Sequence, residues 1–193
     1  MVLLQSDGAK LRAMAWGARK LTSRKIGHLE PLTRIEASLS RGRDMDNLVQ
    51  VQGVEAFSDV KKDLGATSRA LYYVELVDAF AVEESANPPL YKLFHSALRD
   101  LVNDQEVNIA MVHFQWHLLR ICGFMPELYI CVECQQMIAP GNHRFSVELG
   151  GVLCSKCGSV RSSSVCLSLA ALKVLSLIHI SEPTRRTPSS YAG

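Results

Sequence analysis

Cys131-Val-Glu-Cys134 is followed, after nineteen residues, by Cys154-Ser-Lys-Cys157. Two C-x2-C pairs at this separation have the spacing of a zinc ribbon. A two-residue gap lets a tight turn aim two thiolates at one ion, and two such turns complete a tetrahedral shell of four sulfurs at about 2.3 Å. Gly150-Gly151 before the second pair and Gly158 after it supply the backbone freedom such turns need. Four protein ligands leave no coordination position for water, so the expected Zn2+ is structural, one per chain, and not catalytic. In small modules of this kind the metal contributes on the order of 10–16 kcal/mol of folding free energy. The alternative is four thiols without an ion. Residues 131–158 therefore read as a zinc-binding module.

The remaining metal-capable residues read more plainly. Cys122 stands at a helix end as a buried thiol, and Cys166, after the serine run 162–164, packs at the start of a further helix spanning residues 159–175. His113 and His117 are four apart on a helix, a spacing that can bind metal, but no third ligand is near and packing or hydrogen bonding is the reading. His143 lies between the cysteine pairs and is redundant if all four thiolates bind.

Upstream, residues 54–130 carry helical periodicity. Val54–Leu64 reads as a short helix ended by Gly65, and Thr67 as the cap of a second running to about Glu84, with Leu71, Val74, Val77 and Ala81 along one side. Asn87-Pro88 opens a third, whose Leu90, Leu93, Phe94, Ala97, Leu98 and Leu101 share one face. A fourth carries Val107, Ala110, Met111, Phe114, Leu118 and Ile121 and stops at Gly123. Each buried Leu or Phe contributes about 1.5–3 kcal/mol, enough for these faces to form a bundle core.

Residues 1–53 have period two instead. Lys10–Trp16 alternates basic or small residues with apolar ones, and Leu32–Leu39 and Asn47–Gln52 alternate at period two, with turns at Asp7-Gly8, Gly17, Gly27 and Arg41-Gly42-Arg43-Asp44. Several short strands with small turns suggest a little barrel or sandwich. The fold class expected is α+β.

The 193 residues, 48% apolar and 21% charged, can support one large or two small cores. No stretch approaches the roughly 20 apolar residues of a membrane span, and Met1–Asp7 lacks the pattern of a signal peptide. An intracellular setting follows, where cysteines serve as ligands rather than in disulfides. The net charge of +2 is unevenly spread: residues 1–44 hold nine Lys and Arg against four acids, the remainder twelve against fifteen. A basic first quarter on a near-neutral body suggests a polyanion-binding element on a scaffold, though a merely solvated basic face has the same composition.

Gly8-Ala-Lys-Leu-Arg-Ala-Met-Ala-Trp-Gly-Ala-Arg-Lys20, then Gly27-His-Leu-Glu-Pro-Leu-Thr33 and Ser40-Arg-Gly-Arg43, resemble the N-terminal barrel of the bacterial RecO family of recombination mediators. Val132-Glu-Cys134 with Phe145 and Gly150-Gly-Val-Leu-Cys154 resembles that family's zinc segment, and the likeness runs from about Val2 to Leu175. The resemblance implies an OB-fold-like barrel (residues 1–53) followed by a helical domain with an inserted zinc module. It implies a non-enzymatic, cytoplasmic, nucleoid-associated protein that binds single- and double-stranded DNA and anneals complementary strands. Its partners would be RecR and the single-strand-binding protein SSB, with which it helps load RecA at gaps. The DNA-facing residues it implies are Arg12, Arg19, Lys20, Arg24, Lys25, Arg34, Arg41 and Arg43, a cationic groove with salt-dependent, weakly sequence-selective binding. Trp16 either stacks on a base or, on an alternating strand, packs in the core.

The family's barrel begins with one more strand and a turn ahead of Val2, so the barrel here is expected to be incomplete and Met1 to be an internal start. Residues 176–193, beginning Ser176-Leu-Ile-His-Ile-Ser-Glu-Pro-Thr-Arg-Arg186, resemble a translated sequencing-adaptor string and are expected to be non-native. Two other functions compete with this one. A nucleic-acid-processing enzyme with an accessory zinc ribbon would need a Gly-rich phosphate loop, a metal-binding carboxylate cluster or a partnered nucleophile, and none is recognisable. A CxxC redox protein would need a thioredoxin-like βαβ context and leaves the second cysteine pair unexplained.

Overall fold

The computed structural model describes residues 1–18, 23, 25–102, 107–139, 141, 143–161 and 163–180, the side chains of 107 and 176–180 excepted. The chain divides into two compact units, Met1–Cys122 and Gly123–Gly193.

In the first unit, strands β1 (Val2–Leu4), β2 (Lys10–Met14), β3 (Arg34–Ser40) and β4 (Asp46–Glu55) form one sheet in the order β1-β2-β4-β3. β1 and β3 pair antiparallel with their neighbours, whereas β2 and β4 run parallel. The period-two reading thus located β2, β3 and β4. The strand β1 is an addition, too short to show alternation. A 3-10 turn at Ile26–His28 lies between β2 and β3.

Helices α1 (Ser58–Lys62), α2 (Leu64–Phe80), α3 (Pro88–Asp100) and α4 (Val107–Ile121) complete the unit. The first two differ from the expectation. Val54 and Glu55 still belong to β4, and Phe57, at φ +46°, turns the chain into α1. α2 begins three residues before Thr67 because Asp63 is its cap: the Asp63 carboxylate accepts the Ala66 N–H at 2.6 Å. Thr67 instead donates its hydroxyl to the Val60 carbonyl at 2.8 Å, fastening α2 to α1.

The core is built from Ala66, Ala70, Tyr73 and Val77 of α2, Leu90 and Leu98 of α3, and Phe114 and Leu118 of α4. Tyr73 and Phe114 stack with centroids 4.0 Å apart, a geometry that adds about 0.5–1.5 kcal/mol to the burial itself. Leu71 and Val74, expected on the buried side of α2, are 49% and 38% exposed. The reason is a hollow of about 660 Å³ between α2, α3 and the sheet, which they line together with β1 and β3, the sheet's two edge strands.

The second unit contains a smaller sheet of β5 (His143–Ser146), β6 (Gly151–Leu153) and β7 (Val165–Leu167) in the order β6-β5-β7, with α5 (Ser155–Val160) and α6 (Leu169–Ile180). Cys166 lies in β7 and is exposed, not packed at a helix start as expected. Among the described residues no helix is long and apolar enough to cross a membrane. The protein is therefore of mixed α and β structure, with six helices among the described residues.

Candidate metal centre and nucleic-acid interface

Two turns in the second unit carry the four cysteines. In the first, Gln135 N–H donates to the Cys131 carbonyl at 2.9 Å and Cys131 N–H to the Gln136 carbonyl at 2.8 Å, with Gln135 at φ +59°. In the second, Cys154 follows β6 and caps α5, its sulfur facing the Cys157 N–H at 3.5 Å. The turns are strapped together through Val132 N–H to the Val152 carbonyl (3.0 Å) and Val152 N–H to the Glu127 carbonyl (2.9 Å). Gly151 permits that approach: a Cβ there would stand 2.4 Å from Val132 Cγ1 and 2.8 Å from the Glu127 carbonyl oxygen. Arg161, just past α5, forks onto Glu133 within the first pair, Nε to Oε2 at 2.9 Å and Nη2 to Oε1 at 3.1 Å. Glu133 occupies a spacer position of the C-x2-C motif, so spacing alone gave no reason to single it out.

The sulfurs of Cys131, Cys134, Cys154 and Cys157 all lie within 4.8 Å of one another, and Cys134 and Cys154 are 3.8 Å apart. A tetrahedron with metal–sulfur bonds of about 2.3 Å has edges of about 3.8 Å. The four residues therefore fit a metal ion. Burial pushes the Cys131 thiol up, but the N–H groups of Cys134, Cys154 and Glu133 outweigh it and bring the group down to about 6. The Cys157 N–H likewise lowers Cys154. Cys134 receives the Gln136 N–H, yet its contact with Cys131 and its loss of solvent leave it raised. Cys157, held by hydrogen bonding to Cys154 and by burial, is pushed up to about 12. Without a cation the four sulfurs resist joint deprotonation, because four adjacent negative charges repel. A bound cation removes that conflict. His143 is not a fifth member: its Nε2 meets the Ala139 carbonyl at 2.5 Å. His113 and His117 meet each other, Nε2 to Nε2 at 2.9 Å, as the hydrogen-bonding reading expects.

The basic residues belong to the first unit and do not gather in one place. Arg12 pairs with Glu83 at 2.5 Å, and Arg34 with Glu55 at 3.4 Å. Lys25 donates to the Leu48 carbonyl at 2.7 Å. Arg41 and Arg43 are exposed on the β3–β4 loop and have no ion pair among the described residues. Arg19, Lys20 and Arg24 lie outside the described residues. Register explains the grouping. Asn47 of β4 is opposite both Met14 of β2 and Ser40 of β3, so the residues just after Met14 and just after Ser40 both lie near Asn47, although the two strands run in opposite directions. Lys25, Arg41 and Arg43 sit there, while Arg34 is at the other end, opposite Glu55. Trp16 emerges there too. It is 71% exposed, because β2 ends at Met14, and the core placement is excluded.

Comparison with known proteins bears on what this arrangement serves. Residues 61–185 match the family model described as "Recombination protein O C terminal". The DNA repair protein RecO of Dehalococcoides mccartyi is 34% identical over 176 residues, covering 91% of this chain and 69% of the relative. That of Desulforudis audaxviator is 40% identical over 158 residues, covering 81% and 62%. The RecO of a Roseiflexus species is 33% identical over 175 residues, covering 91% and 62%. The chain belongs to the RecO family of DNA repair proteins, and it spans about two thirds of the length of these relatives.

Proposed function

We propose that this chain serves DNA repair as a non-enzymatic recombination mediator. It binds single- and double-stranded DNA, anneals complementary strands, and works with RecR and SSB in loading RecA, in the bacterial cytoplasm on the nucleoid. The observation that carries this reading is the convergence of Trp16, Lys25 and the loop of Arg41 and Arg43 around Asn47 and Leu48 of β4 in a RecO-family chain. Arg19, Lys20 and Arg24 follow Trp16 closely in sequence and are assigned the same role, as are Arg12 and Arg34 once a phosphate displaces their carboxylate partners. Two edge strands overlooking one apolar hollow support an OB-fold-like barrel open on that side. The ion at the four cysteines is Zn2+, on grounds of an all-thiolate, four-ligand shell of tetrahedral size. Metal analysis should return one zinc per chain.

Phosphate contacts release counterions, so affinity for a single strand falls with a log–log salt slope of about −0.7 per contact. Replacing Arg41 and Arg43 together by Ala should make that slope shallower by about 1.4. A slope unchanged by the double substitution removes the loop from the interface, and binding with no salt dependence removes the DNA assignment. Annealing of SSB-coated complementary strands without a nucleotide cofactor tests the mediator role.

A further inference from the structure

Trp16 is the most exposed aromatic ring of the sheet unit, and its indole is hydrogen-bonded to a neighbouring strand. Its indole N–H donates to Asn47 Oδ1 at 2.9 Å, across the β2–β4 pairing. Tryptophan left in water forgoes the stabilisation its burial would bring. A ring that is both uncovered and oriented by a neighbouring strand presents its face to solvent in a fixed direction. Gly42 brings the basic loop to the same asparagine: a Cβ at Gly42 would stand 2.0 Å from the Met45 carbonyl oxygen and 3.1 Å from Asn47 Nδ2. One amide side chain thus lies between the indole and the loop that presents Arg41 and Arg43.

We propose that Trp16 is a stacking platform for an unpaired base of single-stranded DNA, with Arg41 and Arg43 taking the flanking phosphates. The inference rests on the DNA-binding reading above and deepens it. Flanking cations select a polyanion, and an aromatic face among them selects a polyanion that has rings of its own. Duplex bases keep their faces stacked on each other, so only an unpaired base can lie on the indole. The indole's one polar atom is already committed to Asn47, which leaves the π face for recognition. Every base has such a face, so binding through Trp16 is tolerant of sequence.

The chain has two tryptophans, and Trp116 is 7% exposed. In W116F the emission is that of Trp16 alone. Oligothymidylate should quench it, saturating at the concentration where anisotropy of a labelled oligonucleotide saturates. Heparin, a polyanion without bases, should bind without quenching. W16A should lose roughly tenfold in affinity for oligothymidylate while its heparin affinity is unchanged, and W16F should retain most of the affinity. If W116F does not fold, the unmodified chain serves, read as protection of the exposed indole from acrylamide. Oligonucleotide bound by anisotropy with the indole emission and its acrylamide access unchanged overturns the proposal. So does an equal loss of oligothymidylate and heparin binding in W16A. Absence of any oligonucleotide binding at low salt is a different result, and it overturns the DNA reading on which the proposal stands.

Discussion

Glu55, the last residue of β4, offers one carboxylate to His95, Arg34 and Arg99. Its Oε2 meets His95 at 2.9 Å and Arg34 at 3.4 Å, and its Oε1 meets Arg99 at 3.3 Å. The hydrogen bond from His95, helped by the charges of Arg99 and Arg34, holds this carboxyl below its ordinary value of 4.5. A depressed carboxyl stabilises the fold fully above the unfolded value, and the contribution fades as pH falls through the lower folded value. Solvent reaches both guanidinium groups, so screening limits the network to about 1 kcal/mol. E55Q should lower stability by about that much at neutral pH, with the two proteins converging in acid, as read by urea melts at several pH values. Charge pairing of this kind left no trace in the sequence, because its members are spread from position 34 to position 99. Trp16 was undecided for a different reason. Alternation continues through Trp16, but hydrogen-bonded pairing ends at Met14, and pattern alone does not reveal where a strand stops.

At the scale of elements, α2 shows what periodicity carries and what it omits. Thr67 and Asp63 are both capping residue types four positions apart, and only the folded chain distinguishes them. Asp63 takes the cap, so D63A should cost about 1 kcal/mol while D63N, which keeps an acceptor, should be nearly neutral in thermal melts. T67A would leave the helix start intact. Ala66, Ala70 and Tyr73 join the expected Val77 and Ala81 in one buried stripe in place of Leu71 and Val74, and the hollow against the sheet explains the exchange. Tyr73 anchors that stripe, and Y73A should destabilise by about 3–5 kcal/mol through the cavity left beside Phe114. The faces of α3 and α4 were legible because their apolar residues are large and closely spaced. Strands β5, β6 and β7 were not, since three- and four-residue strands bracketing metal ligands are specified by turns and chelation rather than by alternation.

Over the whole molecule, the two units are stabilised by different means. The helical layer of the first has Tyr73, Leu90, Phe114 and Leu118 almost wholly buried. In the second, the buried apolar residues among those described are Leu128, Cys131, Val152 and Leu153, a core too small to hold a fold by burial alone. A metal ion held by the four cysteines would supply the rest, and the cysteine spacing could be read with little supporting pattern. Chelation should therefore abolish hydrogen-exchange protection at Val132 and Val152, the amides that strap the two turns together. Amides of α2 and α4 should keep theirs, and so should the response of Trp16 to oligothymidylate. Cys131→Ser should reproduce the chelator's effect without one, since it removes the most buried ligand of the four. Loss of protection in α2 and α4 at the same chelator concentration would mean that the ion supports the entire chain. Loss of oligonucleotide binding with the Val132 and Val152 amides still protected would instead place the cysteine turns in the DNA interface.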